Sequence, residues 1–294
     1  MYSIVKKLGG EIYAGGNKAM IPGPGHSPTD RSISLLLSPN GKIRVHAFSD
    51  HDWRDVMDWL KAEDLVSDDH RLIDRPQPGR TSIPMRSDTE KRAMARLIWE
   101  AGQPISETLS QKWLTVTRRI SRQVDSPAFR HAPNAPLSAY APDCRQFRNA
   151  FLAKVTNRDG THTGTEITYL DPTGRKDTRL HIPRKLVGGK PPGATVRIDE
   201  PDSEIVIAEG ITSALSASQF FSLPCHALLG VKSFPSWRPP EGVRRVVIAA
   251  EPGAAGETFS KRLERALLGE GYACHLEFPP NGHSDFNAYY GGRG

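Results

Sequence analysis

The stretch EIVIAEGITSALSASQFF, residues 204–221, decides the fold. An apolar run from Ile205 to Ala208 reads as a buried strand. It ends on Glu209 and Gly210, and a helical pattern follows. The order returns in VVIAAEPGAAG, residues 246–256, where the strand ends on Glu251 and turns through Pro252 and Gly253 into a helix. In an open parallel sheet, ligands gather beyond the carboxyl ends of the strands. Glu209 and Glu251 are therefore expected at one edge. Asp285, in NGHSDFN after the last strand, is expected to return there. Carboxylates at one sheet edge suit a hard cation such as Mg²⁺, and such an ion can bridge phosphate oxygens during nucleotidyl transfer. Gly253 and Gly256 would let the backbone approach a phosphate near a helix N-terminus. The competing readings are a surface acid for Glu209, a solvated turn for Glu251 and a helix cap for Asp285.

Around these motifs the pattern alternates. CHALLG, RRVVIAA and YACHLEF read as strands, and AGETFSKRLERALLGEG reads as a helix. The expected class is α/β, with a mostly parallel sheet flanked by helices. It is preceded by a small α+β N-terminal module and a helical linker. NAFLAKVTN, GTEITYLD and ATVRID read as strands before the sheet. Between the last two lies a basic run, in which Arg175, Lys176, Arg179, Arg184, Lys185 and Lys190 face only Asp177. Such side chains make most contacts to phosphates, so the run is a candidate for binding nucleic acid or nucleotide. A solvated face is the alternative.

Further upstream, Ser87 and Glu90 have the form of a capping box. Met94, Leu97, Ile98 and Ala101 mark one apolar helix face, and Leu109, Trp113 and Leu114 mark another. Arg118, Arg119 and Arg122 read as the polar side of a helix end. SPAFRHAPNAPLSAYAPD, residues 126–143, is proline-rich and reads as irregular. At the N-terminus, SISLLLS and KIRVHAF are expected to pair through an Asn-Gly turn. DHDWRDVMDWLKAEDL is expected to be a helix capped by Asp50 or Asp52, and DRPQPGRTSIP a linker. The expected divisions are 1–75 (N-terminal module), 76–145 (helical and proline-rich linker) and 146–294 (core).

The composition is compatible with this plan. The chain has 294 residues, of which 37% are hydrophobic and 24% charged, with 24 prolines and 26 glycines. The 39 basic and 33 acidic residues leave a net charge of +6, which permits a polyanionic partner. No apolar run is long enough to span a bilayer, and the start lacks a secretory signal. Cys144, Cys225 and Cys274 are widely separated, which suits a reduced, cytoplasmic setting without disulfides. Cys225 and Cys274 fall within strand patterns and read as core thiols.

VIAEGITSALSA resembles the first motif of the Toprim domain, the catalytic module of bacterial-type primases, topoisomerases and related nucleases. VIAAEPGAAG resembles the second motif, in which the family has Asp-x-Asp. SDFNAYY is similar to the closing Asp-x-Asn segment of plasmid- and phage-type primases. The resemblance covers about residues 204–290 and extends more weakly through GTEITYLDPTGRK. It implies that Glu209 acts as general acid or base and that Glu209, Glu251 and Asp285 hold Mg²⁺ or Mn²⁺. Glu251 stands in place of the first aspartate, and Gly253, which supplies no ligand, in place of the second. GPGHSPTDRSISLLL and VHAFSDHDW are similar to the zinc ribbon that begins such primases. Gly23 and Ala47 stand at or near the cysteine positions there. Only His26 remains of the first ligand pair, with His46 and His51 nearby, so a metal-free relative is expected.

The resemblance implies primer synthesis from nucleoside triphosphates on single-stranded DNA. The alternatives are a catalytically weakened Toprim protein that binds DNA or a replication partner, and a Toprim nuclease. The chain has no GxxxxGK[ST] loop, so a helicase partner would be a separate protein.

Overall fold

The computed structural model describes residues 1–13, 16–48, 51–73, 86–141, 144–180 and 182–291. Two compact units divide the chain, Met1–Arg86 and Ser87–Gly294.

The first unit is an antiparallel sheet of β1 (Glu11–Tyr13), β2 (Lys18–Ile21), β3 (Ile33–Leu37) and β4 (Ile43–Ala47), in that order. Helices α1 (Tyr2–Leu8) and α2 (Trp53–Ala62) cover one face. Ile4, Val56, Met57 and Leu60 pack there against Ile21, Ile33, Leu35 and Ile43. The β3–β4 hairpin forms as expected, with Gly41 at φ 81°. Asp52 caps α2 by accepting from the Arg54 N–H at 2.8 Å. Asp50, the other candidate cap, and the expected linker over residues 74–84 lie outside the described residues. The sequence did not suggest α1, β1 or β2, which are short and mixed in polarity.

His26 and His51 meet in this unit, their Nε2 atoms 3.3 Å apart, and Asp30 lies 3.0 Å from His26 Nδ1. The ring of His46 packs edge-on against Phe48 instead.

The second unit holds two sheets. One is antiparallel, in the order β5 (Phe129–Pro136), β6 (Phe147–Thr156), β7 (His162–Leu170) and β8 (Arg184–Gly188). Helix α3 (Asp88–Glu100) starts with the expected Ser87–Glu90 capping box. It buries Ala95, Ile98 and Trp99 against Ala150, Leu152, Ile167 and Val187. The helix is rotated from the expected face: Leu97 is 60% exposed and Trp99 only 7%. The Trp99 ring, with far more apolar area to remove from water, takes the inward side.

The stretch read as irregular contains β5, a correction with a clear cause. The register shifts between Ala132 and Ala135, so Pro133 and Asn134 lie in a bulge on an edge strand. A proline is tolerated there because no ladder bond needs its missing N–H. From Ser87 on, the segment expected as a linker contributes its elements to this unit. They include α4 (Leu109–Lys112), which continues as a π-helical turn, Trp113–Thr117.

The other sheet runs β13 (Ala273–Glu277), β12 (Arg245–Ala249), β10 (Glu204–Ala208), β11 (Cys225–Ala227) and β9 (Val196–Arg197). All neighbours are parallel except β9 against β11. Ile205 and Ile207 face α6 (Ala254–Gly269), meeting Leu263 and Leu267. Val206 and Ala208 face α5 (Ile211–Phe221), meeting Ala214 and Leu215. Both faces are therefore covered, which is why these strands read as continuous apolar runs. Each fully buried Val or Ile contributes about 1.5–3 kcal/mol. Val246, Val247 and Ile248 are all 0% exposed, which fixes the register that places Glu251.

The two sheets share one core. Phe129, Phe151 and Val155 of the first pack with Trp113, Leu114, Val206 and Ala208. Beyond the π-helical turn, Arg122 donates to both carboxylate oxygens of Asp199 at 2.8 and 2.7 Å. It is thus an internal ion pair and not part of a solvated face.

Candidate active site at the carboxyl edge of the parallel sheet

Strands β10 and β12 are neighbours in register, Ala208 opposite Ala249. Glu209 follows β10 and Glu251 comes just after β12, at the same edge of the sheet. Both side chains are largely buried. Burial and then repulsion by Glu209 push the Glu251 carboxyl up to about 7 from the ordinary 4.5, and Asp285 adds a weaker push. The Ser213 hydroxyl, which donates to Glu251 Oε1 at 3.1 Å, and the charge of Arg184 only partly oppose this. Glu209 is also raised by burial, offset by Arg184, the Val231 N–H and Lys190. Glu209 and Asp285 thus both act on the charge of Glu251.

Asp285 also has the capping role, accepting from the Ala288 N–H at 2.6 Å at the start of α7 (Phe286–Tyr289). Asn287 pins that helix in place. Its amide donates to Arg118 O at 2.7 Å and to Ser216 Oγ at 3.0 Å.

Among the described residues no three His, Cys, Asp or Glu side chains are grouped tightly enough to enclose a metal ion, here or around His26 and His51. The Glu209–Glu251 pair still fits Mg²⁺. That ion is commonly held by one or two carboxylates while keeping waters and substrate phosphates. Two desolvated, mutually repelling oxygen anions are the donors it favours.

The glycines after Glu251 differ in purpose. A Cβ on Gly256 would lie 2.3 Å from Glu251 O, so the first turn of α6 can approach Glu251 only without a side chain. Gly256→Ala is expected to destabilise the fold by about 2–3 kcal/mol, read from urea unfolding. Gly253 has open space around it but lies at φ 118°, ψ 160°, a region open essentially only to glycine. Restoring the family's acid by Gly253→Asp is therefore expected to cost about 1–3 kcal/mol. It should leave Mg²⁺ affinity, measured by calorimetry, no better than that of the wild type.

The basic run splits into different fates. Arg184, exposed on β8, acts on both glutamates. Lys176 lies near it and Arg118; burial and these two like charges lower its pKa. Lys190 faces inward. Its ammonium donates to Leu228 O at 3.2 Å, to Leu229 O and to Ser233 Oγ at 2.5 Å, holding the loop whose Val231 N–H bonds Glu209. Lys185 points to the opposite face of the sheet, donating to Leu137 O at 2.6 Å, and burial pushes its amine down to about 8. Arg179 is paired with Asp177 at 2.8 Å, and Arg175 is exposed.

Sequence reasoning missed two members of this cluster. Arg118, read as part of a polar helix end, is largely buried and feels both Asp285 and Arg184. Its guanidinium bonds Asn287 Oδ1 at 3.3 Å, while its Nε has no partner. Glu166 is a buried acid on β7, raised by burial and opposed by Arg184 and Lys190. A lone acid among the apolar and hydroxyl residues of its strand was the available signal.

Residues 89–198 match a domain of unknown function, DUF7146, and residues 204–294 match the Toprim domain. No curated protein sequence matches the chain. Among solved structures, the chain is similar to the zinc-binding and RNA polymerase domains of the Aquifex aeolicus primase. The identity is 14%, coverage is 98% of this chain and 78% of that one, and the TM-score is 0.45. It is similar to the RNA polymerase domain of the Mycobacterium tuberculosis primase DnaG at 14% identity, 69% and 79% coverage and TM-score 0.43. For the primase fragment of the bacteriophage T7 primase-helicase protein the values are 12%, 49%, 58% and 0.37, so the chain spans little more than half of that fragment. The part of the chain that carries the two strand-end glutamates, residues 204–294, is a Toprim domain.

Proposed function

We propose that this protein is a primase-like enzyme that joins nucleoside triphosphates on a single-stranded DNA template. The observation that carries the reading is the pairing of Glu209 with Glu251 at the carboxyl edge of a Toprim sheet, with Arg184 acting on both. Glu209 and Glu251 would hold Mg²⁺ or Mn²⁺, with Asp285 adding negative charge close by. When bound, the ion supplies positive charge to phosphate oxygens. Glu209, whose proton affinity is raised by burial, would take a proton from the attacking hydroxyl. Arg184, Lys176 and Arg118 offer positive charge to the triphosphate or template backbone, and Lys190 and Val231 orient Glu209. The test is template-dependent primer synthesis with Mg²⁺ or Mn²⁺, with Glu209→Ala as control. No product with either metal removes the enzymatic reading.

The conformation of Gly253 favours a second reading, a weakened Toprim protein that binds DNA or a replication partner. In that case calorimetry finds no Mg²⁺ binding, while affinity for DNA remains.

A further inference from the structure

Aromatic side chains gather beside Asp285, and nothing above uses them. Phe220, near the end of α5, is 40% exposed. Tyr289 meets it edge-on, with ring centroids 5.7 Å apart. Tyr290 and His283 then meet Tyr289 in the same way, at 5.1 and 5.7 Å. None of these contacts is a face-to-face stack, and Phe220, Tyr289, Tyr290 and His283 all retain exposure. Phe286, 1% exposed, meets Phe220 with ring centroids 5.5 Å apart and ties that ring of the shelf to the core.

A cation completes it. Arg119 is exposed, and no carboxylate among the described residues pairs with it. Its guanidinium lies against Gly291, next to Tyr290; a Cβ on that glycine would be 3.0 Å from Arg119 Nη1. Its backbone is held at φ 55°, uncommon for a residue other than glycine, asparagine or aspartate. Such strain persists where the surroundings hold it and often marks a working position.

We infer that this shelf is a base-stacking platform for single-stranded nucleic acid, with Arg119 meeting the backbone. Part-exposed aromatic rings beside a cation without a carboxylate partner are the chemistry that binds unpaired strands without regard to sequence. In a duplex the bases are already stacked, so a duplex gains little there. His283, Tyr289 and Tyr290 flank Asp285 in the chain, and the charge of Asp285 acts on Glu251, so a strand on the shelf would lie near that carboxylate. This inference rests on the nucleic-acid reading above.

The test measures fluorescence anisotropy of a labelled oligothymidylate and of an abasic strand of equal length. Wild type is compared with Phe220→Leu and Tyr289→Leu. Each variant is expected to bind oligothymidylate about tenfold or more weakly, with binding of the abasic strand unchanged. Equal affinity for oligothymidylate, or equal loss on both strands, overturns the shelf alone. Failure of the wild type to bind either strand overturns the nucleic-acid reading itself. Should a variant fail to fold, photocrosslinking of the wild type to an iododeoxyuridine strand decides. Adducts on Phe220, Tyr289, Tyr290 or His283 support the platform, and adducts only elsewhere refute it.

Discussion

On the proposed primase reading, Glu209→Gln is expected to lower the rate of primer extension by about 10²–10⁴-fold, the usual contribution of a positioned general base. The amide keeps the shape of the side chain and its bond from the Val231 N–H, so the fold should not change. It removes one of the two acids of the pair and, in the proposed mechanism, the proton acceptor with it. Steady-state kinetics at saturating Mg²⁺ checks the rate, and circular dichroism checks the fold. A variant with wild-type turnover would remove Glu209 from the chemistry. A rate loss fully recovered by high Mg²⁺ would leave it a role only in holding the ion.

Glu251→Gln is expected to stabilise the metal-free protein at pH 8 by about 1–2 kcal/mol and to have little effect at pH 5. In the folded chain this carboxyl titrates near 7, against an ordinary 4.5. Between these values the folded state holds more protons than the unfolded state, so stability falls as pH rises through that window. Above about 7 the full cost of the ionised pair is present. The full shift would correspond to roughly 3 kcal/mol, reduced here because the pair sits at a partly solvated edge. The facing groups are Glu209 and Asp285, which repel, and Arg184 and Ser213, which attract. Urea unfolding at the two pH values, with chelator present, measures the difference. Added Mg²⁺ should stabilise the wild type at pH 8 more than the variant. A variant less stable than the wild type at pH 8 would show that the two glutamates do not repel.

The sheet that carries these acids was legible because its strands are covered on both faces and end on a charged residue. Ile205 to Ala208 and Val246 to Ala249 leave little other reading. The paired placement of Glu209 and Glu251 followed from parallel topology alone. The fates of the basic residues were not legible. A run of like charges in sequence does not say which side chain turns inward, and on β8 alternation sends Arg184 and Lys185 to opposite faces. Lys190 looked like a ligand for phosphate, yet three acceptors from a loop about forty residues away occupy it. Arg118 and Glu166 escaped notice because burial of a charge depends on which distant element covers it. β5 was hidden by prolines that an edge strand can accommodate.

The bonds of Lys190 bear on modularity. The two matched segments, 89–198 and 204–294, meet only a few residues before the first glutamate. The boundary between them divides the site's parts list, with Arg118, Lys176, Arg184 and Lys190 before it and Glu209, Glu251 and Asp285 after it. A chimera that joins this Toprim segment to a foreign upstream half would keep its acids. It would lose the ammonium that anchors their neighbouring loop. The two segments therefore work as one unit, and of the three acceptors only the Ser233 hydroxyl can be removed by substitution, so the anchor is lost chiefly by changes at 190.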